Sequence, residues 1–155
     1  MSRLSVGAPA PDFKLLDQSG KLFSLSESLR STRSPHLVYF YPKADTPGCT
    51  TQACGLRDIA AEVGDTVIVG ISPDPPGRQA AFDNKYGLGF PLLADTGHEA
   101  AEAFGVWGER SLYGRKFMGI IRSAFLIGAD GRVREAWYRI TPKDTPKKLL
   151  SALAA

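Results

Sequence analysis

Residues 37–54 read LVYFYPKADTPGCTTQAC. Leu37 to Tyr41 is an unbroken apolar and aromatic run with no polar position to mark a wet side. Such a run is the mark of a strand buried on both faces, as in sheets with helices above and below. Pro42 ends it, and KADTPG turns the chain into a helical stretch over about Thr50–Val63. Thr66–Ile71 (TVIVGI) then repeats the buried-strand pattern. Strand, turn, helix and strand in this order set the fold class.

Upstream, Phe13–Phe23 reads as two short strands around the turn Asp17-Gln18-Ser19-Gly20. Ser24-Leu25-Ser26-Glu27 is a capping box that opens a short helix. Downstream, a helix is expected over about Gly77–Tyr86 and a short strand over Pro91–Ala94. Thr96-Gly97-His98-Glu99 is a second capping box, opening a helix that ends near Gly105. Residues 106–119 mix aromatic, basic and glycine residues with no clear period and read as an irregular or functional loop. Ile120–Ile127 and Val133–Tyr138 flank Ala129-Asp130-Gly131 as a hairpin, and Thr145 with Pro146 caps a final helix. The order ββ-α-β-α-β-α-β-α-β-β-α predicts an α/β fold, a mixed central sheet with helices on both faces.

The chain has 155 residues, 43% hydrophobic and 23% charged, so residues 1–155 are expected to form one domain able to build a core without staples. Two Cys exclude a small disulfide-built scaffold. No apolar run approaches the ~18–20 residues that cross a bilayer, so no membrane association is expected. The opening MSRLSVGAPAPDF carries no apolar leader core, which makes a cytoplasmic location the expectation. A net charge of +3 from scattered Lys and Arg argues against nucleic acid as the main ligand.

The chemistry centres on Cys49 and Cys54. Cys54 sits mid-helix beside Ala53 and Leu56 and fits a small buried hydrophobe. Cys49 fits that role poorly. With Thr46 as N-cap and Pro47 at the first helical position, Cys49 falls in the first turn, where unpaired N–H groups and the helix dipole favour a thiolate. Residues five apart on a continuous helix lie about 140° apart around the axis, with Cα atoms about 8.5–9 Å apart. A disulfide needs about 7 Å or less. If the two are redox partners, the helix must therefore unwind locally. A metal site would need about four ligands, and His36 and His98 have no partner at ligand spacing; both read as surface or cap residues, and neither metal nor cofactor is expected. Alternation over Ile120–Ile127 puts Arg122 on one face with Ile120, Ala124 and Leu126. A guanidinium there either snorkels or pairs with a carboxylate, or else faces the Cys49 thiolate. Trp107, Tyr113 and Phe117 are assigned chiefly to packing, with a share in shaping a substrate pocket as the alternative.

Pro42, Thr46 and Cys49 match the Pro-xxx-Thr-xx-Cys signature of the peroxiredoxins, and FYPKADTPGCTTQACGLRD resembles the active-site stretch of the peroxiredoxin Q (bacterioferritin comigratory protein) group. GAPAPDFKL, FGVWGER, YGRKFMGI and IRSAFLI are similar to the same group, and the resemblance spans nearly the whole chain. It departs at Gly128, where the group usually has Asp, and at Ala124, where Thr is common. The resemblance implies a thioredoxin-like fold with a peroxiredoxin-type N-terminal hairpin. It also implies a thiol peroxidase acting on hydrogen peroxide and organic hydroperoxides. In that scheme Cys49 is the peroxidatic thiolate, Thr46 and Arg122 hold the peroxide oxygens, and Pro42 shields the sulfur. Cys54 resolves the sulfenic acid as an intramolecular disulfide, and thioredoxin or a related dithiol protein reduces it. Members of the group are often monomers and sometimes homodimers. Two other functions compete: a redox sensor or interaction protein switched by a Cys49–Cys54 disulfide without multiple turnover, and a general disulfide oxidoreductase, disfavoured by the missing CxxC.

Overall fold

The computed structural model describes residues 3–155. Its elements run β1 (Lys14–Leu16), β2 (Leu22–Ser24), α1 (Leu25–Thr32), β3 (His36–Phe40), α2 (Pro47–Asp58), β4 (Val67–Ser72) and α3 (Pro76–Tyr86). They continue β5 (Leu92–Ala94), α4 (Glu99–Ala103), β6 (Trp107–Leu112), β7 (Arg115–Ile120), β8 (Ser123–Ile127), β9 (Val133–Tyr138) and α5 (Asp144–Ala154). Seven strands form one mixed sheet in the order β2-β1-β5-β4-β3-β8-β9, and β6 and β7 pair separately. The sheet centres on β3, parallel to β4 and antiparallel to β8, with Leu37 opposite Ile68 on one side and Leu126 on the other.

Period-2 alternation along β3 feeds two cores. Leu37, Tyr39 and Tyr41 join Ala124 and Leu126 beneath α2, α3 and α5, through Ala53, Leu56, Phe82 and Leu149. Val38 and Phe40 join Val69, Phe125 and Ile127 beneath α1 and α4, through Leu25, Ala100, Ala101 and Phe104. The continuous apolar run in the sequence is thus a strand with helices on both sides. Gly70 on β4 makes this packing possible: a Cβ there would lie 2.9 Å from the Tyr39 hydroxyl.

Ser24 caps α1 as its motif predicts, accepting from the Glu27 N–H. The second capping box does not form. His98 occupies the cap position of α4 at φ 57°, and the Asp95 carboxylate accepts from the Ala100 and Ala101 N–H groups instead. Residues 106–119 are an ordered hairpin: Tyr113 and Gly114 both take positive φ, the geometry of a two-residue turn matched to strand twist. The hairpin stands off the main sheet with both faces largely exposed, so no apolar alternation betrays it. The strand expected from Ile120 is interrupted at Ile121 and Arg122. This break puts Ile120 in the core under α1 and α4, while Ala124 and Leu126 face the opposite core. Gly128 has a local reason: a Cβ there would meet Asp130 Oδ1 at 2.8 Å. No helix is long and apolar enough to cross a membrane among the described residues.

His36 is a fully buried first residue of β3 and not a surface residue. Its ring bridges the Ser28 hydroxyl at 2.6 Å and the Ser34 carbonyl at 2.9 Å. Burial lowers its pKa below the ordinary 6.5, partly offset by backbone hydrogen bonds. The unfolded chain therefore binds this proton more tightly than the folded one. The stability it contributes is full above pH 6.5 and is lost as pH falls below that value. His36→Gln should flatten the dependence of urea-unfolding free energy on pH between about 7.5 and 5.5. An unchanged slope would place the acid sensitivity elsewhere.

Candidate active site

After β3 the chain enters the loop 42–46, and two anchors shape it. The Asp74 carboxylate, buried in the turn between β4 and α3, accepts from the Ala44 N–H at 2.7 Å and from the Ser72 hydroxyl at 2.7 Å. Gln79 continues the network, donating to Ser72 Oγ and to the Leu93 carbonyl. On the outside, Asp45 sits at φ 60° and is held by Lys85 Nζ and the Tyr86 hydroxyl, each at 3.0 Å. These two donors keep its carboxyl below the usual range. The loop thus reaches Thr46 in an extended conformation, φ −100° and ψ 158°, from which α2 starts with Pro47 at its first position.

Cys49 follows as the third residue of the helix, 1% exposed. Arg122, at the break between β7 and β8, aims its Nη2 at Cys49 Sγ from 3.4 Å. Its Nη1 donates to Gln52 Oε1 at 2.7 Å, so both ends of the guanidinium fork are occupied. The backbone of α2 passes close by: a Cβ on Gly48 would lie 3.1 Å from Nη2. Positive potential from the helix N-terminus and from the guanidinium converges on the sulfur. The Thr46 hydroxyl does not cap the helix as expected; it donates to the Lys43 carbonyl at 2.7 Å. Its lone pairs stay available as acceptors.

Pro42, Thr46, Cys49 and Arg122 line one open cavity of about 540 Å³. The β6–β7 hairpin supplies its far wall through Trp107, Phe117, Met118 and Ile120. Trp107 and Phe117 therefore face the cavity as well as pack, whereas Tyr113 is 97% exposed at the hairpin tip. His98 stacks on Trp107 at 3.8 Å between ring centroids and steadies the hairpin base. Cys54 lies outside the cavity, half-buried five residues along the same unbroken helix, and both thiols are free. No cluster of His, Cys, Asp or Glu that could hold a metal occurs among the described residues.

The AhpC/TSA family model matches residues 6–136. The chain belongs to the AhpC/TSA family. Within it, the chain is a peroxidase of the peroxiredoxin Q/Bcp group, as its similarity to named members indicates. It is 46% identical over 139 residues to peroxiredoxin Bcp of Escherichia coli, covering 88% of this chain and 87% of that one. It is 41% identical to peroxiredoxin Bcp of Bacillus subtilis, covering 97% and 95% of the two chains. The bacterioferritin comigratory protein of Xanthomonas campestris, whose structures address alkyl peroxide reduction, superposes with a TM-score of 0.85 at 31% identity, over 97% and 96% of the two chains. The thioredoxin-like fold inferred from the sequence is the fold of these peroxiredoxins.

Of the five residues singled out in the sequence, the structure brings four to one cavity and leaves Cys54 along the helix. Gln52 and Asp74 carry no signal in the sequence, since a Gln or Asp in a polar stretch does not reveal its burial, whereas the hairpin wall falls in the stretch read as an irregular or functional loop. Asp74→Ala would orphan the Ala44 N–H and the Ser72 hydroxyl, and a buried unmet donor costs about 1–3 kcal/mol. A loss of that size is expected in urea denaturation, and a loss under about 0.5 kcal/mol would show that Asp74 does not hold the loop.

Proposed function

We propose that this peroxiredoxin reduces hydrogen peroxide and organic hydroperoxides through Cys49, with Cys54 as resolving thiol and a dithiol protein such as thioredoxin as reductant. The observation that carries this is the Arg122 guanidinium 3.4 Å from a sulfur at the base of an open cavity. The Cys49 thiolate attacks the terminal oxygen of the hydroperoxide. The S–O bond forms as the O–O bond breaks, leaving a sulfenic acid and an alkoxide or hydroxide that takes up a proton. Arg122 donates to the oxygens as charge develops on them, and this stabilisation grows as the O–O bond lengthens. With its own proton on the Lys43 carbonyl, the Thr46 hydroxyl accepts from the terminal O–H of the peroxide and orients it. Pro42, at the cavity edge, limits access of water to the sulfur.

Cys54 then displaces the sulfenate oxygen as water and forms a disulfide with Cys49. Both sulfurs lie on α2, so no partner chain is needed to supply a thiol, and the single chain acts as the catalytic unit. The unbroken helix is the obstacle, because residues five apart in it cannot reach disulfide geometry. The segment between them unwinds in each cycle. The reductant returns two electrons and two protons, and the helix re-forms. A cytoplasmic location suits a cycle that starts from two free thiols.

Cys49→Ser should abolish peroxide consumption in a thioredoxin-coupled assay; retained turnover would remove Cys49 from the chemistry. Cys54→Ser should gain one oxygen in intact mass after one equivalent of hydrogen peroxide and then stall, while the parent loses two hydrogens and both thiols. Oxidation in the parent without sustained turnover would favour a redox sensor over an enzyme. In the disulfide form, amide exchange over residues 49–59 should be faster than in the reduced form. Equal protection in both states would contradict the unwinding.

A further inference from the structure

Thr145 begins as an anomaly. Its sequence, Thr before Pro146, is that of a helix cap, yet α5 starts one residue earlier and Thr145 lies inside the first turn. Its side chain is fully buried, as is that of Gln52 on the facing helix. The hydroxyl donates to the Thr141 carbonyl at 2.9 Å and accepts from Gln52 Nε2 at 3.0 Å. Gln52 Oε1 in turn accepts from Arg122 Nη1, and Arg122 Nη2 donates to Cys49 Sγ. Each of these bonds pairs a donor with an acceptor. The Thr141 carbonyl fixes the direction of the Thr145 proton, so Thr145 Oγ1 can only accept from the amide. That fixes which way the Gln52 amide faces, because its carbonyl end must then point at Arg122. The helices approach closely enough for this because residue 55 is Gly, where a Cβ would lie 2.9 Å from Pro146 Cγ.

From this series we infer that Thr145 is a positioning residue for the peroxidatic site. It touches neither sulfur nor peroxide, and it acts by holding the Gln52 amide in the orientation that holds Arg122 on Cys49. The inference rests on the role proposed above for Cys49 and Arg122. Thr145→Val keeps the shape and removes the acceptor, so the amide is free to turn its nitrogens toward the guanidinium or to drift away from it.

The test uses the full chain in a Cys54→Ser background, which leaves one thiol and no resolving step. The second-order rate of Cys49 oxidation by hydrogen peroxide is read by quenching and intact mass. Losing one buried hydrogen bond that orients the guanidinium should slow the reaction about 3- to 10-fold in Thr145→Val. Thr145→Ser, which restores the hydroxyl, should recover most of the rate. Added to Gln52→Ala, Thr145→Val should cause no further loss, because the route through the amide is already cut. A parental rate in Thr145→Val, or equal slowing with and without Gln52, would overturn the inference. Should the Val variant not fold, Thr145→Ala takes its place in the same comparisons. Alkylation of Cys49 by iodoacetamide at neutral pH is run on the same set. If peroxide leaves the Cys54→Ser protein unchanged, the peroxidase reading fails. In that event alkylation decides on Thr145: the same pattern of slowing and rescue upholds it, and equal rates overturn it.

Discussion

The contact between Arg122 and Cys49 is the one on which the rest of the site depends. A guanidinium cannot lose its charge near neutral pH, and one left in an apolar cleft without acceptors is costly. This one finds a sulfur on one side and an amide oxygen on the other. The arrangement requires three separate pieces of backbone to converge: the first turn of α2, the break between β7 and β8, and the start of α5. The sheet brings the first two together, since β3 and β8 are antiparallel neighbours and the end of β3 and the start of β8 deliver the Cys49 loop and Arg122 to the same end of the sheet.

The loop before α2 shows how much of the scaffold serves this convergence. It is fixed from inside by the Asp74–Ser72–Gln79 network and from outside by Asp45 on Lys85 and Tyr86. All of these partners come from the end of β4, the turn after it, and α3. The parallel pairing of β3 with β4 therefore sets the loop before α2 as well as the core. The tyrosines beneath it, Tyr39 and Tyr41, are pushed by burial well above the ordinary phenol range and stay neutral, and the Tyr41 hydroxyl donates to Gln79 Oε1.

Particular residues show what can be read from a chain and what cannot. The run LVYFY announces a doubly covered strand because every position in it is apolar. Cys49 announces itself because Thr-Pro-Gly places it at a helix start, and Arg122 because a charge stands out in an apolar stretch. The hairpin of residues 107–120 gives no such signal: beyond its base at Trp107 and Ile120 it stands clear of the sheet, so its side chains follow no period, and only Tyr113-Gly114 hints at the turn. His36 gives no sign of its burial in the sequence because one of its two partners, Ser28, reaches it only once α1 folds back against β3. Gln52 is invisible for a similar reason, its burial being created by α5 nearly a hundred residues later.

The packing of α2 has a thermodynamic consequence for the proposed cycle. The helix holds Cys49 and Cys54 apart and is itself held by Ala53 and Leu56 in the core and by the close seating of Gly55 on Pro146. A bond between the two sulfurs must be made against that packing, and reduction gives it back. The reduction potential of the disulfide thus contains the folding free energy of the segment, with each ~1.4 kcal/mol of recovered packing raising it by about 30 mV. A tighter helix would make the disulfide a better oxidant of its reductant and at the same time slow its formation. The stability of α2 is bounded from both sides, and its middle carries Thr50, Thr51 and Gly55, residues of low helix propensity.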